Sequence, residues 1–428
     1  MMKTTLPLCL LVAMFHLTVH SLTQTDHHNS KPKATDPQKQ HLHEGDSLKS
    51  CQRIIPSNTD FAFQFYRQAT TQEPGKNIFF SPVSISTAFA LLALGSRATS
   101  QAQVLEGLAF NVTNTQEEEI HNGFHHLLLL LNRPDSQVQL SMGNTLFIDK
   151  HLKPLKTFLK DMKKLYKGKV VSVNFQNSTE AKKEVNDHIK NQTHGNINEI
   201  LKDLDPNTLV VIVSYIYFKG YWENPFNNLN TRDSDFFLDA KNSVKVKMMH
   251  QSKNFNIHRD EELSCWVVEI PYKGNVTSLF VLPDEGTMKQ VEDALLKETV
   301  SKWLQAFEKR KIYLDLPKFS ISSSYDVKSL FQKMGVTELF TNQADLSGVA
   351  EETLLKVSKA IHKATVDVSE NGTEAAAVTM IELVPLIAPF PPPPHIRFNR
   401  PFLMMIIDKS TDGVLFMGKI VNPAAKED

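Results

Sequence analysis

SENGTEAAAVTMIELVPLIAPFPPPPHIRFNRPF, residues 369–402, joins two halves with incompatible structural preferences. Gly372 opens it as a backbone hinge, and the residues after it are small or suited to a strand. At a period of two, one face is Thr373, Ala375, Ala377, Thr379, Ile381 and Leu383, and the other is Glu374, Ala376, Val378, Met380 and Glu382. That is a strand with one face ready for burial. The far half carries Pro385, Pro389 and Pro391 to Pro394, which have no N–H to donate, so it cannot lie inside a sheet. A loop whose near half would suit a sheet interior implies two states, with the segment either outside the sheet or inserted in it.

Outward from this segment, the chain has 428 residues with 47 basic and 47 acidic side chains, a balance that leaves no electrostatic footprint for nucleic acid. Its length would allow two or three domains, but no linker divides it, so residues 51–428 read as one folded domain. Residues 1–21 combine Lys3, a short apolar run and small or polar residues near Ser21, which reads as a secretory signal too short to span a membrane. Residues 22–50, rich in His, Lys, Gln and Asp, read as a disordered arm. The arm's His27, His28, His41 and His43 lack regular ligand spacing, so neither a metal nor a cofactor is expected.

Asn-x-Ser/Thr sequons stand at Asn111, Asn177, Asn191 and Asn275, expected as glycan sites on a secreted chain, and a fifth at Asn371. A glycan at Asn371 would crowd the hinge, so that site is expected to be empty or to impede movement. Cys51 and Cys265 remain once Cys9 leaves with the signal; they permit a bridge and do not demand one.

The folded part reads as mixed helix and strand. Residues 60–69 predict an amphipathic helix capped by Ser57 or Asn58. Residues 77–80 predict a short strand, followed by a buried helix in which Ser81 is the cap and Pro82 lies in the first turn. Helices are expected over 116–131, 155–166 and 181–191. His121, His125 and His126 on the first of these lack the glutamate of a HExxH site and read as a solvated face. The lysines around the second read as its wet face. The apolar run 208–218 (TLVVIVSYIYF) predicts a strand buried on both faces, and further strands are expected over 170–175, 264–270, 277–282, 311–316, 404–407 and 414–420. No GxSxG elbow, phosphate-binding loop, HExxH or dinucleotide glycine pattern occurs, so the chain is not expected to be an enzyme.

The hinge GTEAAA, followed by FNRPFL and LFMGKIVNP, resembles the serpin family, and within it the secreted alpha-1-antitrypsin-like group (clade A). The likeness runs from about residue 54 to 423 through NIFFSPVSIS, YIYFKGYWENPF, FVLPDEG, ADLSGV and SKAIHKATVDVSENGTEAAA. It implies an α+β (mixed α/β) fold with three β-sheets, about nine helices and an exposed reactive-centre loop over 370–397. It also implies a secreted, monomeric inhibitor that traps serine proteases as a covalent acyl-enzyme and then inserts the cut loop into its sheet. On that pattern the hinge is Glu370, Gly372, Thr373, Glu374, Ala375, Ala376 and Ala377. Counting from Gly372 puts the reactive bond at Leu386–Ile387, a primary leucine suited to chymotrypsin-like or elastase-like enzymes. Beneath the opening point, Ser81, Ser84, Asn186 and His362 would share a polar shutter. Two departures stand out. Phe398 lies twelve positions beyond Leu386, more than the pattern allows, which leaves Phe390 as a fallback primary residue. Ser214 replaces the usual Asn beside the shutter, which implies a weaker clasp. The alternative within the family is a non-inhibitory carrier of a small hydrophobic hormone.

Overall fold

The computed structural model describes residues 37–133, 137–351, 355–373 and 392–425. The chain divides into two compact units, Met1–Leu42 and His43–Asp428, and the architecture below is that of the second. Among the described residues nine helices occur: α1 Pro37–Gln72, α2 Pro82–Gly95, α3 Ala98–Gly107, α4 Glu117–Leu131, α5 Lys156–Tyr166, α6 Ser178–Gln192, α7 Met288–Asp293, α8 Lys297–Gln305 and α9 Val327–Lys333. The strands are β1 Ile78–Phe80, β2 Gln139–Asp149, β3 Lys169–Val173, β4 Val210–Lys219, β5 Arg232–Phe237, β6 Ser243–Asp260, β7 Cys265–Pro271, β8 Val276–Pro283, β9 Glu308–Pro317, β10 Phe319–Asp326, β11 Lys359–Val368, β12 His395–Arg397, β13 Phe402–Asp408 and β14 Gly413–Ile420. The fold is α+β.

A five-stranded sheet runs in the order β10-β11-β4-β2-β3. Its centre is β4, whose apolar run feeds two cores by simple alternation. Val210, Ile212, Ile216 and Phe218 enter the larger core with α2, while Val211, Val213 and Tyr215 join a second core with Ala181, Val185 and Ile189 of α6. Helix α2 can be apolar all round because it is enclosed, with Pro82 at its first position and every residue except Leu94 buried.

The remaining strands form a second hydrogen-bonded network, β1-β14-β13-β8-β7-β6-β9-β12, with β5 beside β6. The third sheet implied by the family resemblance is continuous with this network through β6. That 18-residue strand keeps β9 on one side while its other side pairs with β5 over Arg232–Phe237 and then with β7 over Cys265–Glu269. The FNRPF landmark has a packing reason: Phe398 and Phe402 are fully buried edge to face at 5.3 Å, against Phe280 at 5.8 and 6.1 Å.

Three expectations are corrected. Residues 37–50, read as part of a disordered arm, belong to α1, which runs through Pro56 without a break. Asn58 is therefore no cap; it lies inside that helix, buried, and accepts a 2.5 Å hydrogen bond from the Ser86 hydroxyl. Two of the α4 histidines are not a solvated face: His121 is buried on Tyr166 and Glu117, and half-buried His125 meets the Leu165 carbonyl at 3.2 Å, so these two pack α4 onto α5.

Cys51 and Cys265 are both unpaired and fully buried, in α1 and β7. Burial pushes each thiol up to about 12, which suppresses the thiolate. The native protein is expected to resist alkylation in mildly alkaline buffer and to label at both positions once denatured, as peptide mapping by mass spectrometry will show.

Candidate functional site

Every neighbouring pair around β4 and β11 is antiparallel except β4 with β11 itself. β10 runs against β11 and β2 runs against β4, whereas β11 and β4 are parallel over Lys359↔Val211 to Thr365↔Tyr217. A parallel pair is the weaker kind of ladder. A strand entering there would be antiparallel to both neighbours, and of the sheet's two parallel pairs, β11–β4 and β2–β3, it is the one beside the turn that follows β11. Just after β11 the chain turns back on itself at Ser369–Gly372, and Thr373 already bonds the Gly220 carbonyl at the end of β4.

His362 holds the seam closed. It is fully buried opposite Ser214, whose hydroxyl lies 2.9 Å from its Nδ1, and its Nε2 accepts the Ser81 N–H at 3.1 Å. Ser81 accepts in turn from the Ser84 N–H at 3.2 Å as the cap of α2, and the Ser84 hydroxyl reaches the Tyr215 carbonyl at 3.5 Å. One imidazole thus ties β11, β4 and the start of α2. Burial is the main reason its pKa falls to about 3. The acceptor role of Nε2 agrees with this, because a protonated ring would face the Ser81 N–H with another donor. The shorter Ser214 still reaches the ring, so the exchange from Asn has not broken the clasp. Asn186 is not brought to it. It sits on α6, where its carboxamide accepts from Ile200 and Leu201 N–H at 2.9 Å and donates to the Leu201 carbonyl at 3.0 Å. Asn144, which the sequence did not flag, stands opposite Ser214 on β2, buried, with its Oδ1 lacking a hydrogen-bond partner.

At the hinge the chain is already anchored. Ser369 and Gly372 exchange backbone hydrogen bonds of 2.8 and 3.2 Å, forming a tight turn. Gly372 has φ +139, and a Cβ there would lie 2.0 Å from the Gly220 carbonyl oxygen, so only glycine fits. The Thr373 N–H then donates to that carbonyl at 2.7 Å, and its fully buried hydroxyl meets the Tyr272 hydroxyl at 3.0 Å. Trp222 stacks on Tyr272 at 4.3 Å, and its indole N–H donates to the Ser369 carbonyl at 2.9 Å. Glu370 accepts from Thr231 at 2.7 Å and from Lys318 at 2.8 Å. Burial pushes its carboxyl up, but these hydrogen bonds outweigh burial and hold it below the usual range. Trp222, Tyr272, Thr231 and Lys318 went unread in the sequence because they lie up to 147 residues from the hinge.

At the other end, the Pro394 carbonyl accepts the Tyr313 N–H at 2.9 Å, and β12 pairs in parallel with β9. Glu374, Ala375, Ala376, Ala377, Leu386, Ile387 and Phe390 lie outside the described residues. Asn111, Asn177, Asn191 and Asn275 are all exposed, and Asn371 is half-buried in the hinge turn. Among the described residues no helix is long and apolar enough to cross a membrane.

The Serpin (serine protease inhibitor) family profile matches residues 56–423. Alpha-1-antiproteinase 2 of Equus caballus is 46% identical over 393 residues, covering 92% of this chain and 91% of its own. Alpha-1-antitrypsin of Sus scrofa is 45% identical over 386 residues, covering 90% and 91%. Among solved structures, human thyroxine-binding globulin complexed with its hormone superposes with a TM-score of 0.84 at 44% identity, over 88% of this chain and 100% of that one. Human glycosylated kallistatin gives 0.82 at 42% identity, over 88% and 100%.

The clasp makes stability depend on pH in a definite direction. With the folded pKa of His362 depressed from 6.5 to about 3, its contribution is fully present above 6.5 and is lost as pH falls towards 3. The loss is about 1.4 kcal/mol per pH unit in that window. Denaturant titrations at stepped pH should show a flatter acid limb for His362→Gln than for the wild type.

Proposed function

This chain belongs to the serpin family, and on that footing we propose that it is a secreted inhibitor of serine proteases that works by inserting its cut reactive loop between β11 and β4. The observation that carries the reading is Thr373, held by the Gly220 carbonyl at the mouth of the parallel seam as the first rung of a strand yet to form. Secretion rests on the signal-like residues 1–21, and the four exposed sequons are proposed to carry glycans.

In this mechanism the protease's serine hydroxyl attacks the Leu386 carbonyl. The Leu386–Ile387 bond breaks, the Ile387 amine leaves, and an ester joins the protease to the new end of the loop. The freed loop then folds back from Gly372 and adds as a strand, a form of recognition of which serpin loop insertion is an established case. With ~15 residues entering at ~3.3 Å each, the tethered protease is carried roughly 50 Å before water completes hydrolysis. Opening the seam means parting the seven β11–β4 register pairs and the Ser214–His362 contact. It also disturbs the segment after α6, which Lys363 and Lys359 hold on β11 through the Glu199 carbonyl at 2.8 Å and Asp203 at 2.7 Å. An antiparallel strand between β11 and β4 would supply both with new rungs.

The likeness to thyroxine-binding globulin carries a second reading, a hormone carrier, and incubation with chymotrypsin and elastase separates the two. The inhibitor reading expects a covalent complex that survives denaturing electrophoresis, and Leu386→Arg should shift the response to trypsin. The carrier reading expects cleavage without a complex. Thr373→Arg would place a charge in a fully buried pocket at the first rung, so it should leave cleavage intact and abolish the complex. Wild-type protein nicked in the loop should melt at a higher temperature than the intact chain, as calorimetry will measure.

A further inference from the structure

Three side chains far apart in sequence meet where the chain leaves the reactive loop. Asp315 on β9 is the register partner of His250 on β6, and His395 opens β12 on the other side of β9. Their potential ligand atoms all lie within 4.8 Å of one another, and they are the one such group of histidine, cysteine and carboxylate among the described residues. His250 Nδ1 is 2.7 Å from Asp315 Oδ1, and His395 Nε2 is 2.8 Å from Oδ2, which also accepts from Arg397 Nε at 2.9 Å.

We propose that His250, Asp315 and His395 form a binding site for a zinc ion, held by two imidazoles and one carboxylate with its remaining position open to water. Two histidines and an acidic oxygen are a donor set that zinc accepts, at about 2.0–2.2 Å. Neighbouring ligand atoms around tetrahedral zinc stand roughly 3.3 Å apart, so His250 must withdraw from Oδ1 by a few tenths of an ångström and His395 must swing from Oδ2 towards the ion, within a cluster whose ligand atoms already lie within 4.8 Å of one another. They have room to do so, because the His250 and His395 side chains are 39% and 48% exposed. The Asp315 side chain is 6% exposed, and its hydrogen bonds to His250, Arg397 and His395 outweigh the effect of burial and keep it in the charged form that a ligand must have.

The surroundings are those of a prepared site. Asp315 and His250 are fixed by the β6–β9 ladder, and the His250 ring lies parallel to Tyr313 at 6.1 Å. With one carboxylate oxygen on the ion, the other keeps Arg397, the outer hydrogen bond that orients a metal-bound carboxylate. The ion would link three strands, one of them the three-residue β12, whose only strand partner among the described residues is β9. This inference does not depend on the inhibitor reading.

The test uses the untagged full-length chain, titrated with zinc chloride in a calorimeter at neutral pH and with cobalt chloride by visible absorption. The expected result is one ion per chain with a tetrahedral cobalt spectrum. His250→Ala and His395→Ala, each at a half-exposed position, should each weaken that binding by at least roughly tenfold, a loss that even outer-shell changes produce at metal sites. A variant with His27, His28, His41 and His43 all changed to Ala should keep it. Melting of the metal-free variants at the wild-type temperature will show that they fold. No stoichiometric binding by the wild type, binding unchanged in both single variants, or its loss in the arm variant would each overturn the proposal.

Discussion

Two strands that point the same way lie side by side in the middle of the five-stranded sheet, joined across their midpoint by an imidazole that must remain neutral. Everything distinctive about this molecule follows from that contact between Ser214, His362 and the cap of α2. Parallel pairing together with the turn that follows β11 makes the β11–β4 ladder, and not the parallel β2–β3 pair, the natural place to part. His362 closes it with hydrogen bonds that are geometrically sound but easily exchanged, because none of its partners is a charge. A seam held by neutral hydrogen bonds can be stable on storage and still give way when a better strand competes for it.

The two ends of the loop are held by different physics. At the hinge, the anchor is mostly backbone: a turn closed on itself at Ser369 and Gly372, and a rung from Thr373 to the Gly220 carbonyl. Such bonds can be traded for the same bonds further along β4, so the hinge is arranged for continuation. At the exit, the anchor is side-chain packing and charge, with Phe398 and Phe402 locked edge to face and Asp315 gripping His395 and Arg397. Those side-chain contacts belong to particular residues and cannot be passed along a strand as backbone rungs can, so the exit is arranged to stay.

Sequence reading found the parts that depend on local pattern. The apolar run of β4 and the proline-led α2 with its Ser81 cap each announce themselves within a dozen residues, and each lies where it was expected, while Gly372 stands in a turn with φ +139. Strands β2, β6, β10 and β11 were harder, because polar residues such as Asn144, Gln251 and Ser323 occupy buried positions that a hydrophobicity pattern takes for solvent. The start of α1 was misplaced for a related reason: a composition of His, Gln and Lys describes a wet surface as well as it describes disorder. Asn186 was assigned to the shutter by analogy, and its partners turned out to be Ile200 and Leu201. The Asp315 cluster could not be read at all, since its histidines lie 65 and 80 residues from it and meet only through strand register.

The proline run has an effect that reaches beyond one molecule. β12 is the last strand of its network and so an open edge, the kind of surface that recruits extended segments from neighbouring molecules. Pro392, Pro393 and Pro394 stand immediately before it, and none has an amide hydrogen to offer a visiting strand. A docking chain therefore gains rungs from only three residues before the supply stops, too few to seat it firmly. Where copies of this chain collide, that short edge leaves a neighbour too little ladder to join.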